Sequence, residues 1–390
     1  MNQTMTDIKS VGALLEKIEE LRTCEDSQAF LSIYCKTGRL PDDAAKARIR
    51  FKNALAEAET KIALHDLHEF SKPLQALSKL PSDEDFWNHQ SEGLAVFVRP
   101  GSVEILKLNA PVPDEVVLGP EFHLKPVLAL AANADVFYLL SLSQKKVTLD
   151  RVSHLGIQEN VCPHLPQGYE DAMEAAGYDE DSRAMKGLKS ERKVEDKYLK
   201  KYFEEIERAV AQHLDGETFP LILACADSYG PVYREVNTYP PLSENLLAGN
   251  PEHRDLREMA DEARLLLHSE LINSQRVTLG LYKEAKAANL SVEGLEASLA
   301  AAADGNLKTL FLPGDASLWG TREDGKIKSG QPESLETIDL YQIAALAALD
   351  AGSEIYFLEE AQLPTDSKVI GIQRWQDQAK TSVHAAAGVV

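Results

Sequence analysis

Cationic side chains recur at helical spacing between Arg183 and Lys201, a stretch called here the basic segment. It holds eight basic and three acidic residues, a net charge of 8 − 3 = +5, whereas the remainder of the chain carries 33 − 59 = −26. Residues three and four positions apart lie on one side of an α-helix, so a continuous helix would align these charges. Aligned cations can bind RNA phosphates, with a log–log salt slope of roughly −3.5 to −4.5 for five contacts. The predicted RNA-binding residues are Lys186, Lys189, Arg192, Lys193, Lys197, Lys200 and Lys201.

A second interpretation of the basic segment is internal charge pairing. The preceding stretch, Tyr169 to Ser182, holds six acidic residues and no basic one, a local charge of −6. Two neighbouring helices of opposite charge can simply pair with each other as solvated surfaces. The charge pattern alone therefore leaves RNA contact and internal pairing equally open.

Two other motifs resemble chemical sites but lack essential parts. Residues 320–326, GTREDGK, mimic a phosphate-binding loop, yet Ile327 occupies the position where Ser or Thr must reach the magnesium ion. A surface excursion is the better interpretation. His65 and His68 lie three residues apart on a predicted helix, but no third or fourth ligand follows at metal-site spacing. We predict no metal ion, no cofactor and no catalytic residue.

Composition limits the classes of partner. The 390-residue chain has a net charge of −21, which repels polyanions on average, so nucleic-acid contact must be confined to a local basic patch and DNA binding is not expected. The longest apolar stretch is too short to span a bilayer and is interrupted by Asn133 and Asp135. The four cysteines form no CxxC pair. These features predict a soluble cytoplasmic protein without membrane contact.

Alternating strands and helices must position the basic segment. Val136 to Leu142 is almost wholly apolar and predicts a strand buried on both faces, followed by a half-exposed strand over Val147–Arg151. Pro100–Gly101 predicts a hairpin turn. A helix from about residue 42 to residue 70 is expected to bury its apolar side chains, and another is expected over residues 191–214. The apolar residues of the first helix are Ile49, Leu55, Ile62 and Leu67.

Seven short segments, in this order, resemble the bacterial branch of the archaeo-eukaryotic release factor family, whose members include peptide-chain release factors and Pelota. Each segment alone is weak, and the ordered series carries the resemblance. The segments are Phe86–Trp87, GLAVF (93–97), FHLKP (122–126), FYLLSLS (137–143), PLILA (220–224), GNLKTL (305–310) and QLP (362–364).

The resemblance implies an α/β fold in several parts. Residues 1–90 would form an amino-terminal helix–strand–helix segment of mixed α/β structure. Residues 91–214 would form the family's central ribonuclease-H-like domain, and residues 216–376 its carboxy-terminal, ribosomal-protein-like α/β domain. Residues 377–390 have no periodicity and are expected to form a flexible tail.

The resemblance also implies a function, and comparison with the family's motif argues against peptide release. Family members that release peptides carry a Gly-Gly-Gln tripeptide, which this chain lacks; Ser329–Gln331 (SGQ) comes nearest. We therefore expect a non-catalytic, translation-associated factor that docks on the ribosome or a tRNA through the basic segment. Two alternatives stay open: a metal-dependent hydrolase using carboxylates of the central domain, and an acidic module that binds a basic protein.

Overall fold

The chain folds into two compact units. The computed structural model describes residues 2–8, 10–24, 27–38, 41–132, 136–153, 156–175, 191–215, 217, 219–323, 326–363 and 367–376. The first unit, unit 1, comprises Met1–Ala134 with Thr278–Val390, and unit 2 comprises Asp135–Val277. Both units combine helices with sheets, so the predicted α/β class is confirmed. The predicted tail, residues 377–390, lies outside the described residues.

The amino-terminal part of unit 1 is one five-stranded sheet with helices packed on it. Its elements are β1 (Asn2–Ile8), α1 (Val11–Arg22), β2 (Phe30–Lys36), α2 (Pro41–Leu64), α3 (Ser71–Leu77), α4 (Glu84–Asn88), β3 (Gly93–Arg99), β4 (Ser102–Leu108), β5 (Glu115–Gly119) and α5 (Lys125–Ala132). The strand order is β1-β4-β3-β2-β5, and only β1 and β4 are parallel. The predicted hairpin is confirmed, because β3 and β4 pair around Gly101, whose φ of 81° suits glycine.

The observed units differ from the division drawn from the sequence. β2, in the predicted segment 1–90, pairs with both β3 and β5, which lie in the predicted block 91–214. Backbone N–H and C=O groups inside a protein need partners, so a sheet cannot be divided between its central strands. The blocks 91–214 and 216–376 each contribute to both units.

Helix α2 differs from its prediction at both its end and its buried face. It stops at Leu64, and Asp66 follows with a φ of 54°. Ile49, predicted to be buried, is 60% exposed, so that prediction is wrong. The buried stripe instead runs through positions that meet α4 and the sheet: Ala44, Ala47, Phe51, Leu55, Ala58 and Ile62. Ile49 lies outside this stripe and faces solvent because a helix buries only the positions that share its inner face.

Unit 2 is a five-stranded mixed sheet with helices on both faces. Its elements are β6 (Phe137–Leu142), β7 (Val147–Ser153), β8 (Gly156–Gln158), α6 (Tyr169–Ala175), α7 (Glu191–His213), β9 (Leu221–Cys225), α8 (Tyr229–Val236), β10 (Leu242–Ala248) and α9 (Leu256–Ala287), which runs past the end of the unit. The order is β10-β9-β6-β7-β8. β6 is parallel to β9 and β9 to β10, whereas β6–β7 and β7–β8 are antiparallel.

The alternate faces of β6 support two cores. Leu140 and its neighbours pack with Phe203 and Ile206 of α7, and Leu139 packs with Met259 and Ala263 of α9. All six residues of β6 are buried, as the apolar run predicts. The predicted helix over 191–214 is also confirmed, as α7.

Strand β7 is more buried than its alternating pattern indicated. Thr148 and Asp150, predicted to face solvent, are buried on the same face as Val152, which packs in the core under α9. Asp150 is accommodated by hydrogen bonds, accepting from the Thr148 hydroxyl at 3.0 Å and the Asn160 N–H at 2.9 Å. Burial nevertheless raises the pKa of Asp150. The alternating pattern missed this because it does not show which face a helix covers.

The carboxy-terminal part of unit 1 holds two small sheets. Its elements are β11 (Ser291–Glu293), α10 (Leu295–Ala303), β12 (Leu307–Pro313), β13 (Trp319–Glu323), β14 (Lys326–Ser329), β15 (Ile338–Asp339), α11 (Leu340–Asp350), β16 (Glu354–Leu358) and β17 (Ile370–Gln373). One sheet has the order β11-β17-β12-β16 and the other β14-β13-β15. Gly305 and Gly352, just beyond α10 and α11, have φ values of 66° and 62° and end those helices as glycine commonly does.

Candidate nucleic-acid interface

Helix α7, which carries the end of the basic segment, is firmly anchored in unit 2. The Tyr202 hydroxyl donates to the Ser143 carbonyl, and the buried Glu207 carboxylate accepts from the Tyr233 hydroxyl at 2.6 Å. Glu207 also accepts from the Thr238 N–H at 2.6 Å and its hydroxyl at 2.8 Å. Burial raises the pKa of Tyr233, and the charge and hydrogen bond of Glu207 raise it further. A fixed helix is a suitable platform for a charged surface.

The described cations of α7 are paired with carboxylates. Lys200 Nζ lies 3.0 Å from Glu235 Oε2 of α8, with side-chain exposures of 45% and 65%. Lys201 Nζ lies 2.5 Å from Glu204 Oε2. Ion pairs this exposed contribute about 0–1 kcal/mol because water screens them. The two carboxylates partly neutralise the end of the basic segment, and a competing anion can displace them at a small cost in free energy.

The other predicted RNA-binding residues are less well defined by the structure. Arg192, Lys193 and Lys197 lie in the first turns of α7, and their side chains are outside the described part. Lys186 and Lys189 lie outside the described residues altogether. The alignment of the lysines in one stripe and their contact with RNA therefore both stay predictions.

A metal-dependent hydrolase finds little support in the described residues. Within them, no three His, Cys, Asp or Glu residues are grouped so that they could hold a metal ion. The central strands β6 and β9 carry no carboxylate. The buried carboxylates Asp150 and Glu207 of unit 2 are instead engaged by the protein's own hydroxyl and N–H donors.

The tripeptide Ser329–Gln331 occupies a backbone turn at the end of β14. The N–H groups of Gly330 and Gln331 both donate to the Trp319 carbonyl, at 3.0 and 3.2 Å. The described residues of GTREDGK lie in the antiparallel strands β13 and β14, where the Cβ of an alanine at Gly320 would lie 2.3 Å from the Lys328 carbonyl oxygen. Close backbone approach therefore explains this glycine without a phosphate.

The FHLKP segment forms a buried polar cluster that the sequence did not reveal as one. Lys125 Nζ lies 3.7 Å from Asp339 Oδ2, with side-chain exposures of 6% and 0%. Gln342 Oε1 accepts from the Leu124 and Lys125 N–H groups, and its Nε2 donates to Glu121 Oε1 at 2.8 Å. These contacts join residues 121–125 to residues 339–342 within unit 1. The signal in the sequence was a histidine and a lysine within an otherwise apolar stretch.

A histidine–carboxylate pair adjoins this cluster. His123 Nε2 lies 3.5 Å from Glu115 Oε2, and the His123 ring packs against Trp319 with 5.5 Å between centroids. Burial raises the pKa of Glu115, but the hydrogen bond and charge of His123, with the charges of Lys125 and Lys61, outweigh it and lower the net pKa. Burial raises the pKa of nearby Glu121. The arrangement is a structural contact between strands and helices of unit 1.

The family resemblance is confirmed over the middle of the chain. Residues 136–306 match the model of bacterial archaeo-eukaryotic release factor family 3, so this part of the protein is release-factor-like. No curated protein shows significant similarity to the sequence. None of the helices in the described part of the chain is both long and apolar enough to cross a membrane.

Several solved structures match the chain at low identity and with low TM-scores. An archaeal translation termination factor, aRF1, is 15% identical, with 95% of this chain and 99% of that chain covered and a TM-score of 0.24. Thermoplasma acidophilum Pelota is 12% identical, covers 95% and 96% of the two chains and has a TM-score of 0.25. Archaeal Pelota, from a model of its ribosome-bound form with ABCE1, is 10% identical, covers 95% and 96% and has a TM-score of 0.38.

Proposed function

We propose that the protein is a non-catalytic, translation-associated factor of the cytoplasm that docks on the ribosome or a tRNA through the basic segment and α7. The observation that carries this proposal is the family match over residues 136–306, which contains the whole basic segment. Docking through this segment would use its net charge of +5, in a chain whose net charge is −21.

The electrostatics of α7 are compatible with phosphate binding. Lys200 pairs with the exposed carboxylate of Glu235 and Lys201 with the partly exposed carboxylate of Glu204, and the attraction in each pair is worth about 0–1 kcal/mol. A phosphate presented by RNA can replace these carboxylates because little attraction is lost and the counterions released from the RNA favour binding. Binding would then depend steeply on salt because counterions are released from the RNA.

We also propose a ribonuclease-H-like fold for unit 2 without nuclease chemistry. Its antiparallel strands β6, β7 and β8 are followed by β9 and β10, which run parallel to β6. This order supports the fold that the resemblance implies. The apolar sequences of β6 and β9, together with the missing Gly-Gly-Gln tripeptide, support a role in binding.

Co-sedimentation with ribosomes at low salt tests the proposal. The wild-type protein is expected to pellet with ribosomes, and reversal of Lys189, Lys193 and Lys197 to Glu is expected to abolish pelleting. Reversal of Lys72, Lys79 and Lys283 makes the same change in net charge elsewhere and should leave pelleting intact. Equal pelleting of the two triple variants would refute docking through α7. Binding that survives ribonuclease digestion would favour a protein partner.

A further inference from the structure

A second concentration of cations lies on helix α2, in unit 1. Residues 36–52 include six basic residues and two acidic ones, a net charge of 6 − 2 = +4 in a chain of −21. The basic residues are Lys36, Arg39, Lys46, Arg48, Arg50 and Lys52. This stretch is far from the basic segment in sequence and belongs to the other unit.

The outer face of α2 presents these charges to solvent. Lys46, Ile49, Lys52 and Asn53 are all exposed, and Arg48 is half-buried beside them. These five residues are called here the α2 cationic face. No carboxylate interrupts the helix between Asp43 and Glu57, so three turns present only cations, small residues, an amide and one isoleucine.

The cations of this face are less closely paired than the described cations of α7. Within the described residues, Lys52 has no carboxylate within 4.0 Å, and the buried Arg48 Nε has no hydrogen-bond acceptor. Lys46 Nζ lies 3.9 Å from Asp43 Oδ1, at the outer limit of an ion pair, with a side-chain exposure of 65%. By contrast, Arg50 is held by Asp114 at 3.5 Å. The unmet positive charge is thus concentrated at Lys46, Arg48 and Lys52.

We propose that the α2 cationic face binds the phosphate backbone of RNA as a second contact surface for the partner of α7. The choice of RNA as the polyanion rests on the proposed function. Clustered cations repel one another and are stabilised when phosphates lie between them, and the exposed ammonium groups of Lys46 and Lys52 can donate charge-assisted hydrogen bonds to phosphate oxygens. Protein interfaces depend on a packed centre of aromatic and aliphatic anchors, whereas this face offers only Ile49. The chemistry of the face therefore favours phosphate over an acidic peptide.

A labelled oligouridylate is the probe for a direct test, with fluorescence anisotropy measured over a range of salt concentrations on the full chain. K46Q/K52Q is expected to weaken binding and to make the log–log salt slope shallower by about 1.4, since each single-strand phosphate contact contributes roughly 0.7. K72Q/K79Q removes two exposed lysines, one in α3 and one just after it, and should leave the slope unchanged. If K46Q/K52Q binds as K72Q/K79Q does, the proposal is overturned.

One further variant distinguishes phosphate binding from an apolar contact, and another distinguishes the α2 cationic face from α7. I49S keeps every cation, so unchanged RNA binding supports a phosphate surface, whereas a loss as large as that of K46Q/K52Q would indicate an apolar anchor and overturn it. K193Q/K197Q tests α7 in the same assay. An effect of K46Q/K52Q without an effect of K193Q/K197Q would refute docking through α7 and uphold the α2 cationic face.

Discussion

Replacing Lys125 with methionine is expected to destabilise unit 1 far more than loss of an ordinary ion pair would. Lys125 and Asp339 have side-chain exposures of 6% and 0%, and the Nζ–Oδ2 distance is 3.7 Å. Among the residues that the structure describes, Asp339 Oδ2 has no hydrogen-bond partner, so the charge of the Lys125 ammonium group compensates for its burial. Removing one member of a buried pair leaves an uncompensated charge, at a cost of about 3–5 kcal/mol.

The two members of the pair are not equivalent, which sharpens the prediction. In Asp339→Asn the amide oxygen can still accept from the Tyr341 N–H, as Oδ1 does at 3.0 Å, and Lys125 keeps the Ala316 carbonyl and the Ser317 hydroxyl as acceptors. The expected cost is therefore smaller, about 1–3 kcal/mol. The double variant K125M/D339N buries no charge and should be at least as stable as K125M alone.

The loss of stability is measured by urea unfolding with tryptophan fluorescence as the signal, because Trp87, Trp319 and Trp375 all belong to unit 1. The control is Lys286→Met, which breaks a pair of 2.6 Å with an exposed lysine and should cost about 0–1 kcal/mol. A K125M cost no larger than that of K286M would refute the reasoning. So would a double variant destabilised by the full sum of its single changes.

Four further changes have definite expected outcomes. Gly168→Ala places a Cβ 2.8 Å from a carbonyl oxygen of the β6–β7 turn, and thermal unfolding should show unit 2 destabilised by about 1–3 kcal/mol. Gly12→Ala places its Cβ in open space on helix α1 and should stabilise unit 1 by about 0.5–1 kcal/mol. The pKa of Glu115 is lowered from 4.5 in the folded state. The ionised carboxylate therefore contributes fully to the stability of the fold above its unfolded pKa, and this contribution is lost as the pH falls through the folded pKa. When unfolding is measured over a series of pH values, E115Q should lose less stability than the wild type below about pH 4.5. Arg374→Met removes three hydrogen bonds to carbonyls at the ends of α10 and α11 and should lower the urea midpoint by several times the shift of Lys286→Met.

Local patterns predicted those elements that depend on neighbouring residues. The apolar run of β6 and the turn at Gly101 follow from side-chain type and backbone freedom alone. Each needs no knowledge of what packs against it. The family resemblance likewise followed from short ordered segments, and the match over residues 136–306 confirms it.

Features set by distant partners could not be predicted. Ile49 faces solvent because α4 and the sheet define the inner side of α2, and Asp150 is buried because α9 covers that face of β7. Lys125 is buried because Asp339 arrives from more than 200 residues away. At the candidate interface, the carboxylate of Glu235 reaches Lys200 from another helix, so pairing of that lysine was not visible from the charge pattern.

The salt dependence of ribosome binding tests the central claim most directly. The association constant of the wild-type protein should fall steeply with salt, with a log–log slope of roughly −3.5 to −4.5 if five lysines of the basic segment meet phosphates. K193Q/K197Q should make that slope shallower by about 1.4–1.8 for single- and double-stranded contacts respectively. Binding that is independent of salt, or a slope identical in the variant and the wild type, would contradict docking of this protein through α7.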